Sequence, residues 1–143
     1  MKHVLIVSDS AAVRADVRSV LSSSEFSVAE VSSGDEVLGV VSAAGAVVPD
    51  LVVCDLQAGN RGGMAVTLDL RLEESGGRLP RVGVLLLLDR RADVFLARRS
   101  EADGFVVKPL DPLRLRRAVT CVLAGEGYED DSYRPAESAA RPA

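Results

Sequence analysis

Five short apolar runs alternate along the chain with segments in which apolar residues recur every three or four positions. We interpret the runs as strands, at residues 4–7, 26–31, 51–56, 82–88 and 104–107. Runs without polar alternation fit strands covered on both faces, as in a parallel sheet, whereas residues 26–31 alternate more and fit an edge strand. Strand and helix alternate five times, which predicts an α/β fold with a five-stranded parallel sheet and helices on both faces.

The segments between the runs carry apolar stripes typical of amphipathic helices. The stripes are Val13, Val17, Val20 and Leu21 in the first helix, Val37, Leu38, Val41 and Ala44 in the second, Met64, Leu68 and Leu72 in the third, and Leu115, Val119, Val122 and Leu123 in the fifth. A short fourth helix is expected over residues 89–99. Asp111 followed by Pro112 predicts the N-cap and first turn of the fifth helix.

The length of 143 residues and the hydrophobic content of 48% are those of one domain with a buried core. We expect this domain to comprise residues 1–125. Residues 126–143 are acidic, contain two prolines and have little apolar content, so a disordered tail is predicted there. The N-terminal apolar run is too short for a signal peptide or a membrane span, so we expect a cytoplasmic protein without a membrane partner.

Charge is distributed unevenly along the chain. The formal net charge is -4, but residues 89–117 hold 8 basic and 5 acidic side chains. This basic stretch fits a partner-binding surface, or ordinary solvated helix faces with both signs interspersed. The overall charge balance is not basic and so does not indicate a nucleic-acid-binding protein, and we expect no direct nucleic-acid binding. The only two cysteines, Cys54 and Cys121, lie in apolar patterns and suggest neither a disulfide framework nor a metal cluster.

Three charged residues follow or end predicted strands: Asp9, Asp55 and Lys108. In open α/β sheets, ligands bind at the carboxyl ends of the strands. Two carboxylates, a loop carbonyl and waters suit Mg²⁺, and a lysine ammonium could pair with a carboxylate or with a phosphoryl group on it. The pattern therefore fits an aspartyl-phosphate site, but acids at strand ends also cap helices, and the spacing alone leaves both interpretations open.

The sequence resembles the receiver domain of bacterial response regulators over residues 3 to about 124. The run Pro49-Asp50-Leu51-Val52-Val53-Cys54-Asp55-Leu56 is similar to the strand that carries the family's phosphoacceptor, with Gly63 eight residues after Asp55. Lys108 and Pro109 are similar to the family's Lys-Pro pair, and Phe105 lies at its aromatic switch position. The resemblance implies a flavodoxin-like, CheY-like fold with strand order 2-1-3-4-5.

The resemblance also implies roles for individual residues. Asp55 would accept the phosphoryl group and Lys108 would pair with the carboxylate or the phosphoryl group. Asp9, Asp55 and the backbone carbonyl of Gln57 would bind Mg²⁺, with Ser8 reaching the metal through a coordinated water. Output would pass to an effector protein, or through self-association, by way of the fourth helix, the fifth strand and the fifth helix. The basic residues expected on that surface are Arg98, Arg99, Arg114 and Arg117.

Some positions depart from the family pattern. Ser8 replaces the first of two strand-end acids, so we expect weak Mg²⁺ binding. Leucines, with Leu86 and Leu88 as the switch candidates, replace the Ser or Thr expected near the end of the fourth strand. The hydroxyl that couples phosphorylation to the aromatic switch is therefore missing, and Phe105 has no phenolic oxygen that would favour a solvated position. We expect Phe105 to be buried already.

These features favour an atypical, stand-alone receiver that is not an enzyme and that receives its phosphoryl group from a histidine kinase or a phosphotransfer protein. One alternative is a pseudo-receiver that acts as an interaction module without phosphorylation; Ser8 and the leucine run support it. A second alternative is an enzyme or a nucleotide-binding protein of similar topology, such as a flavin-binding protein. It is less favoured, because no loop carries a glycine-rich phosphate-binding fingerprint.

Overall fold

Six strands and five helices form the part of the chain that the computed structural model describes, residues 1–59 and 61–132. The strands are β1 (Lys2–Val7), β2 (Phe26–Val31), β3 (Leu51–Asp55), β4 (Gly83–Leu88), β5 (Gly104–Val107) and β6 (Tyr128–Glu129). The helices are α1 (Ala11–Val20), α2 (Val37–Ser42), α3 (Gly63–Ser75), α4 (Asp93–Arg99) and α5 (Pro112–Leu123), and a 3₁₀ turn at Gly34–Glu36 leads into α2. None of these helices has the length and apolar character needed to cross a membrane.

The strands form one parallel sheet in the order β2-β1-β3-β4-β5-β6. The order predicted for the first five strands is confirmed, and β2 is an edge strand as its alternation indicated. The prediction of five strands is wrong, because β6 continues the sheet beyond β5. The predicted α/β class with helices on both faces is confirmed.

The sixth strand lies in the segment that was predicted to be a disordered tail. Tyr128 and Glu129 pair in parallel with Gly104 and Phe105 of β5. The backbone N–H of Asp130 also donates to the Phe105 carbonyl, at 3.2 Å. The ordered chain therefore continues past the predicted boundary at residue 125, because the open backbone groups of β5 give this segment hydrogen-bond partners. The remainder of the predicted tail, residues 133–143, lies outside the described residues.

Two apolar layers cover the sheet, one on each face. Alternate residues of the central strands point to opposite faces, so each continuous apolar run contributes to both layers. The first layer packs α2, α3 and α4 against Val7, Val52, Cys54, Leu86 and Phe105, among others. The second layer packs α1 and α5 against Ile6, Val53, Leu85, Leu87 and Val106, among others. This arrangement leaves the carboxyl ends of the strands as the accessible rim.

The buried face of α3 differs from the predicted stripe. Leu68 and Leu72 are 53% and 56% exposed, whereas Thr67 and Arg71 are buried. The Thr67 hydroxyl donates to the Gly63 carbonyl at 2.7 Å. The Arg71 guanidinium donates to the Val82 carbonyl at 2.7 Å, among other partners. Polar groups can be buried when their hydrogen bonds are made, so the apolar pattern alone indicated the wrong face.

The fourth helix begins later than predicted, at Asp93 instead of residue 89. The Asp93 carboxylate accepts hydrogen bonds from the backbone N–H of Arg90 (3.2 Å) and from its guanidinium (2.9 Å). These contacts hold residues 89–92 as a turn in front of the helix. By contrast, the start of α5 is as predicted: Asp111 is the N-cap, with Pro112 in the first turn, and its carboxylate accepts from two backbone N–H groups at 2.8 and 3.1 Å.

Candidate functional site

Asp55 is the last residue of β3, in the middle of the sheet between β1 and β4. Its neighbours along β3 are apolar and fully buried, and Asp55 itself is only 3% exposed. A carboxylate taken this far out of water needs polar partners, since an unpaired buried charge costs several kcal/mol. The partners of Asp55 therefore define the site.

The two oxygens of the Asp55 carboxylate have different surroundings. Oδ2 accepts hydrogen bonds from the Lys108 ammonium at 2.9 Å and from the Ser8 hydroxyl at 3.1 Å. Oδ1 contacts the backbone N–H of Gln57 at 3.5 Å, which is the outer limit for a hydrogen bond. Oδ2 is thus held by two donors from distant parts of the chain, whereas Oδ1 keeps most of its capacity as a base, nucleophile or metal ligand.

Lys108 bridges two carboxylates. Its ammonium lies 2.9 Å from Asp55 Oδ2 and 2.8 Å from Asp89 Oδ1. Partial burial opposes the charged form, but the hydrogen bonds and charges of Asp89 and Asp55 outweigh it and raise the pKa of Lys108. The lysine is therefore a permanent cation at neutral pH. The peptide bond that follows it, Lys108–Pro109, is cis.

Oxygen atoms that suit a hard divalent cation lie in the segments around this rim. The Asp9 side chain is exposed and forms no hydrogen bond or ion pair within the described part of the chain. The Gln57 carbonyl accepts one hydrogen bond, from Gly59 at 3.2 Å, which leaves a second lone pair. With Asp55 Oδ1, these atoms are the types that Mg²⁺ prefers. Within residues 1–59 and 61–132, no group of three or more His, Cys, Asp or Glu side chains could hold a metal ion, so the donor set has only two carboxylates.

The loop after β3 depends on two glycines. Gly59 has a φ of 69°, in the left-handed region that favours glycine. At Gly63, a Cβ atom would lie 2.8 Å from Leu86 Cδ2 and 3.1 Å from the Asp55 carbonyl oxygen. Gly63 thus lets the start of α3 pack directly against the residue that carries the site carboxylate. The glycine eight positions after Asp55, selected from the sequence, has this steric role.

The switch candidates are entirely buried on the face that α4 covers. Phe105 is 2% exposed, which confirms the expectation that it is buried. Leu86 and Leu88 have no exposed surface, and Leu86 lies beside Phe105 in the strand register. The surroundings of Phe105 are apolar, and neither leucine can form a hydrogen bond with a group at Asp55.

The predicted basic surface is partly occupied by acidic residues of the same chain. Arg98 pairs with Glu129 at 3.0 Å, and Arg114 with Asp130 at 3.3 Å. Arg99 lies over the ring of Phe95, 5.2 Å from its centroid, and Arg117 is exposed. The carboxylates come from the segment predicted to be a tail, so these ion pairs were not expected from the sequence.

Asp89, the second partner of Lys108, was not among the site residues predicted from the sequence. A usable signal was present, because Asp89 directly follows the run at residues 82–88 and so lies at a strand's carboxyl end. The same rule selected Asp9, Asp55 and Lys108. The Ser8 hydrogen bond to Asp55 was not predicted either; Ser8 was expected to act through a metal-bound water.

The sequence matches the family model described as "Response regulator receiver domain" over residues 4–120. A nitrate/nitrite response regulator protein homolog from Haemophilus influenzae is 28% identical over 133 residues, covering 92% of this chain and 61% of that protein. The nitrate/nitrite response regulator protein NarL from Escherichia coli is 26% identical over 134 residues, covering 92% and 59%. The chain thus spans less than two thirds of the length of these curated relatives.

Solved receiver domains have the same fold. The signal receiver domain of a histidine kinase from Syntrophus aciditrophicus superposes with a TM-score of 0.75 at 23% identity, covering 95% of this chain and 96% of that one. The receiver domain of a sensor histidine kinase from Pseudomonas aeruginosa, solved with a magnesium ion in its active site cleft, gives a TM-score of 0.69 at 20% identity, covering 86% and 98%.

Proposed function

This chain belongs to the response regulator receiver domain family of two-component systems, and we propose that Asp55 is its phosphoacceptor. The phosphoryl donor is a histidine kinase or a phosphotransfer protein. The observation that carries the proposal is the asymmetry of the Asp55 carboxylate. Lys108 and the Ser8 hydroxyl orient Oδ2, whereas Oδ1 has only the 3.5 Å contact with the Gln57 N–H. The less constrained oxygen is the nucleophile.

In the proposed reaction, Asp55 Oδ1 attacks the phosphorus atom of a phosphohistidine. The new oxygen–phosphorus bond forms as the phosphorus–nitrogen bond breaks, and the electron pair of that bond stays on the imidazole. Transfer of this kind depends on positioning and on charge neutralisation more than on acid-base chemistry. Lys108 supplies the permanent positive charge, and its contact with Asp89 keeps the ammonium at the rim where the phosphoryl oxygens arrive.

Magnesium is the metal of the proposed site, as in the Pseudomonas aeruginosa relative. The residues that would hold it are Asp9, Asp55 through its carboxylate, and Gln57 through its backbone carbonyl. When bound, the ion neutralises charge on the transferring phosphoryl group. Ser8 contributes no formal charge, and its hydroxyl donates to Asp55 Oδ2. The site therefore has one anionic ligand fewer than a site with two strand-end acids, and its affinity for Mg²⁺ is low.

Intact-mass spectrometry after incubation with acetyl phosphate and Mg²⁺ tests the acceptor. We expect one added phosphoryl group in the wild-type chain and none in Asp55→Asn. Asp50→Asn is the matched control, because Asp50 lies just before the N-terminal end of β3, away from Asp55. There its carboxylate accepts from the His3 N–H at 2.8 Å. An added mass that persists in Asp55→Asn would show that another residue is the acceptor.

Calorimetric titration with Mg²⁺ tests the role of Ser8. Ser8→Asp should bind Mg²⁺ about tenfold more tightly, because a third carboxylate joins those of Asp9 and Asp55. Ser10→Asp adds the same charge two residues later, at the N-cap of α1, where aspartate also caps a helix; its affinity should stay near the wild-type value. Equal affinities for the wild type and Ser8→Asp would contradict the proposed metal site.

A second candidate function is an interaction module whose output depends little on phosphorylation. It is favoured by the buried position of Phe105 (2% exposed), by the apolar Leu86 beside it, and by Leu88 further along β4. A phosphoryl group shifts an equilibrium only through different interactions with its two states, and these leucines offer it no hydrogen bond. Binding through α4, β5 and α5 should then change less than about tenfold on phosphorylation, or roughly 1.4 kcal/mol. Partner affinity or dimerisation, measured with and without phosphodonor, distinguishes the two functions.

A further inference from the structure

The outer edge of β5 is covered by the chain's own C-terminal segment. After α5 ends at Leu123, the residues from 124 to 127 lead back to the sheet, and β6 pairs in parallel with β5. The Tyr128 N–H donates to the Asp103 carbonyl at 3.1 Å, and the Asp130 N–H donates to the Phe105 carbonyl at 3.2 Å. An edge strand with open backbone groups is a template for an added strand, and here the added strand comes from the same molecule.

Asp130 completes this contact with its side chain. It is 1% exposed, and its Oδ2 accepts from the Val107 N–H of β5 at 2.8 Å. Its Oδ1 accepts from the Ser132 N–H at 2.9 Å and pairs with the Arg114 Nε at 3.3 Å. The carboxylate thus satisfies the last outward N–H group of β5 and neutralises a cation of α5. A neutral or basic residue could not do both.

Two more features adapt the edge to an acidic segment. Arg98 of α4 pairs with Glu129 at 3.0 Å, so cations flank two successive carboxylates on both sides of the strand. Gly104 faces Tyr128, and a Cβ at this position would lie 2.6 Å from the Tyr128 carbonyl oxygen. The edge therefore combines backbone groups, a glycine that admits close approach, and two arginines placed for successive acidic residues.

We propose that the β5 edge, with Arg98 and Arg114, is a docking site for an extended acidic segment of a partner protein, and that residues 128–130 fill it in the unbound chain. The partner binds by displacing them. The short connection from α5 gives the chain's own segment a high effective concentration, on the order of millimolar, so it competes strongly with segments in solution. This inference deepens the proposed output through α4, β5 and α5. It rests on that proposal only for its signalling role.

A fluorescently labelled peptide with the sequence of residues 126–132 tests the site. Both of its ends are blocked, and its binding to the whole chain is measured by fluorescence anisotropy in the absence of phosphodonor. The variant Glu129→Gln/Asp130→Asn removes the carboxylates that hold the internal strand, and it should bind the peptide at least about tenfold more tightly than the wild type does. A peptide with Gln and Asn at the same two positions should bind neither chain. Adding Arg114→Gln to the variant should abolish binding of the acidic peptide.

The matched control is Glu126→Gln/Asp131→Asn, which removes two negative charges from exposed positions that flank the contact. It should behave like the wild type. Hydrogen exchange at the Val107 amide reports whether the internal strand has loosened, and circular dichroism verifies that each variant is folded. An unchanged Val107 exchange rate in Glu129→Gln/Asp130→Asn would overturn the inference, and so would faster exchange without peptide binding. Equal peptide affinities for the wild type and this variant would overturn it as well.

The two proposals fail in different ways. Peptide binding is measured without phosphorylation, so a chain that cannot be phosphorylated on Asp55 can still show the β5-edge site. Conversely, a chain that accepts the phosphoryl group but never binds the peptide would retain the receiver function and lose this one.

Discussion

Replacing Lys108 should destabilise the fold more than replacing its partner Asp55. The perturbation is Lys108→Met, which keeps the length and apolar character of the side chain but removes the ammonium. The Asp55 carboxylate, 3% exposed, would then have only the Ser8 hydroxyl and the Gln57 N–H as donors. Asp55→Asn has a milder effect, because Lys108 keeps its contact with Asp89 at 2.8 Å.

The magnitudes follow from these contacts. Removing one partner of a buried ion pair costs about 3–5 kcal/mol, and the 20% exposure of the Lys108 side chain places this case near the lower end, at about 3 kcal/mol. Asp55→Asn should cost about 1 kcal/mol or less, because an amide can still accept from Ser8. The double variant Lys108→Met/Asp55→Asn leaves no unpaired charge at this position. It should lose about 1 kcal/mol of stability, like Asp55→Asn alone, so the coupling energy between the two residues is about 2–3 kcal/mol.

Urea unfolding at neutral pH, followed by circular dichroism, measures these losses without added Mg²⁺. Asp89→Asn is the control, since Asp89 is 43% exposed and its removal leaves the Lys108–Asp55 contact intact; its effect should be below about 1 kcal/mol. Equal losses of stability in Lys108→Met and Asp55→Asn would refute the proposed role of the ammonium. Additive losses in the double variant would refute it too, because they would mean that the two groups are not coupled.

Three further predictions concern packing, thiol chemistry and helix capping. Gly63→Ala should lower stability by about 2 kcal/mol in urea unfolding, because the added methyl group would be too close to the Leu86 side chain and the Asp55 carbonyl oxygen. Gly39→Ala, with open space around it, should not lower stability. Burial, with a smaller effect of the neighbouring Asp55 charge, raises the pKa of Cys54 to about 12 from its ordinary 9.0, so its thiol should resist a disulfide reagent in the folded chain while the partly exposed Cys121 reacts. The thiol's contribution to stability is present below its ordinary pKa and is lost as pH rises toward 12, so Cys54→Ala should show a shallower alkaline loss of stability; equal slopes would contradict this. Hydrogen bonds from the backbone N–H groups of Arg114 and Leu113, the first having the larger effect, lower the pKa of Asp111. Asp111→Ala should therefore lower the melting temperature at neutral pH, and the difference from the wild type should disappear as the pH falls below the ordinary carboxyl range. A difference in melting temperature that persists in acid would contradict the capping role of the carboxylate.

The strand positions and the order of the first five strands could be predicted because their signals are local. A continuous apolar run such as residues 51–56 must be buried on both faces, and a helix between two runs makes the strands parallel. The same rule places Asp55 and Lys108 at one rim of the sheet, since each lies at or just after the carboxyl end of its strand. Asp89 satisfied this rule too and was overlooked.

The burial of Arg71 and the pairing of β6 depended on contacts between distant segments. Arg71 lies inside because the Val82 carbonyl and the Asp103 carboxylate, at 2.7 and 2.8 Å, replace the water that the guanidinium loses. The spacing of apolar residues along α3 does not reveal those partners, so the predicted stripe included Leu72, which is exposed, instead of Arg71.

The acidic segment after α5 has a composition typical of disordered chains, and composition predicts only that such a segment lacks a core of its own. Composition does not reveal that the open edge of β5 lies within reach of this segment. The sequence by itself thus determined which residues form the core strands and where the site carboxylate lies, because these follow from local hydrophobicity and connection order. Only the tertiary structure decided which polar groups are buried and which edge the C-terminal segment covers, because each of these requires hydrogen-bond partners that are far away in the chain.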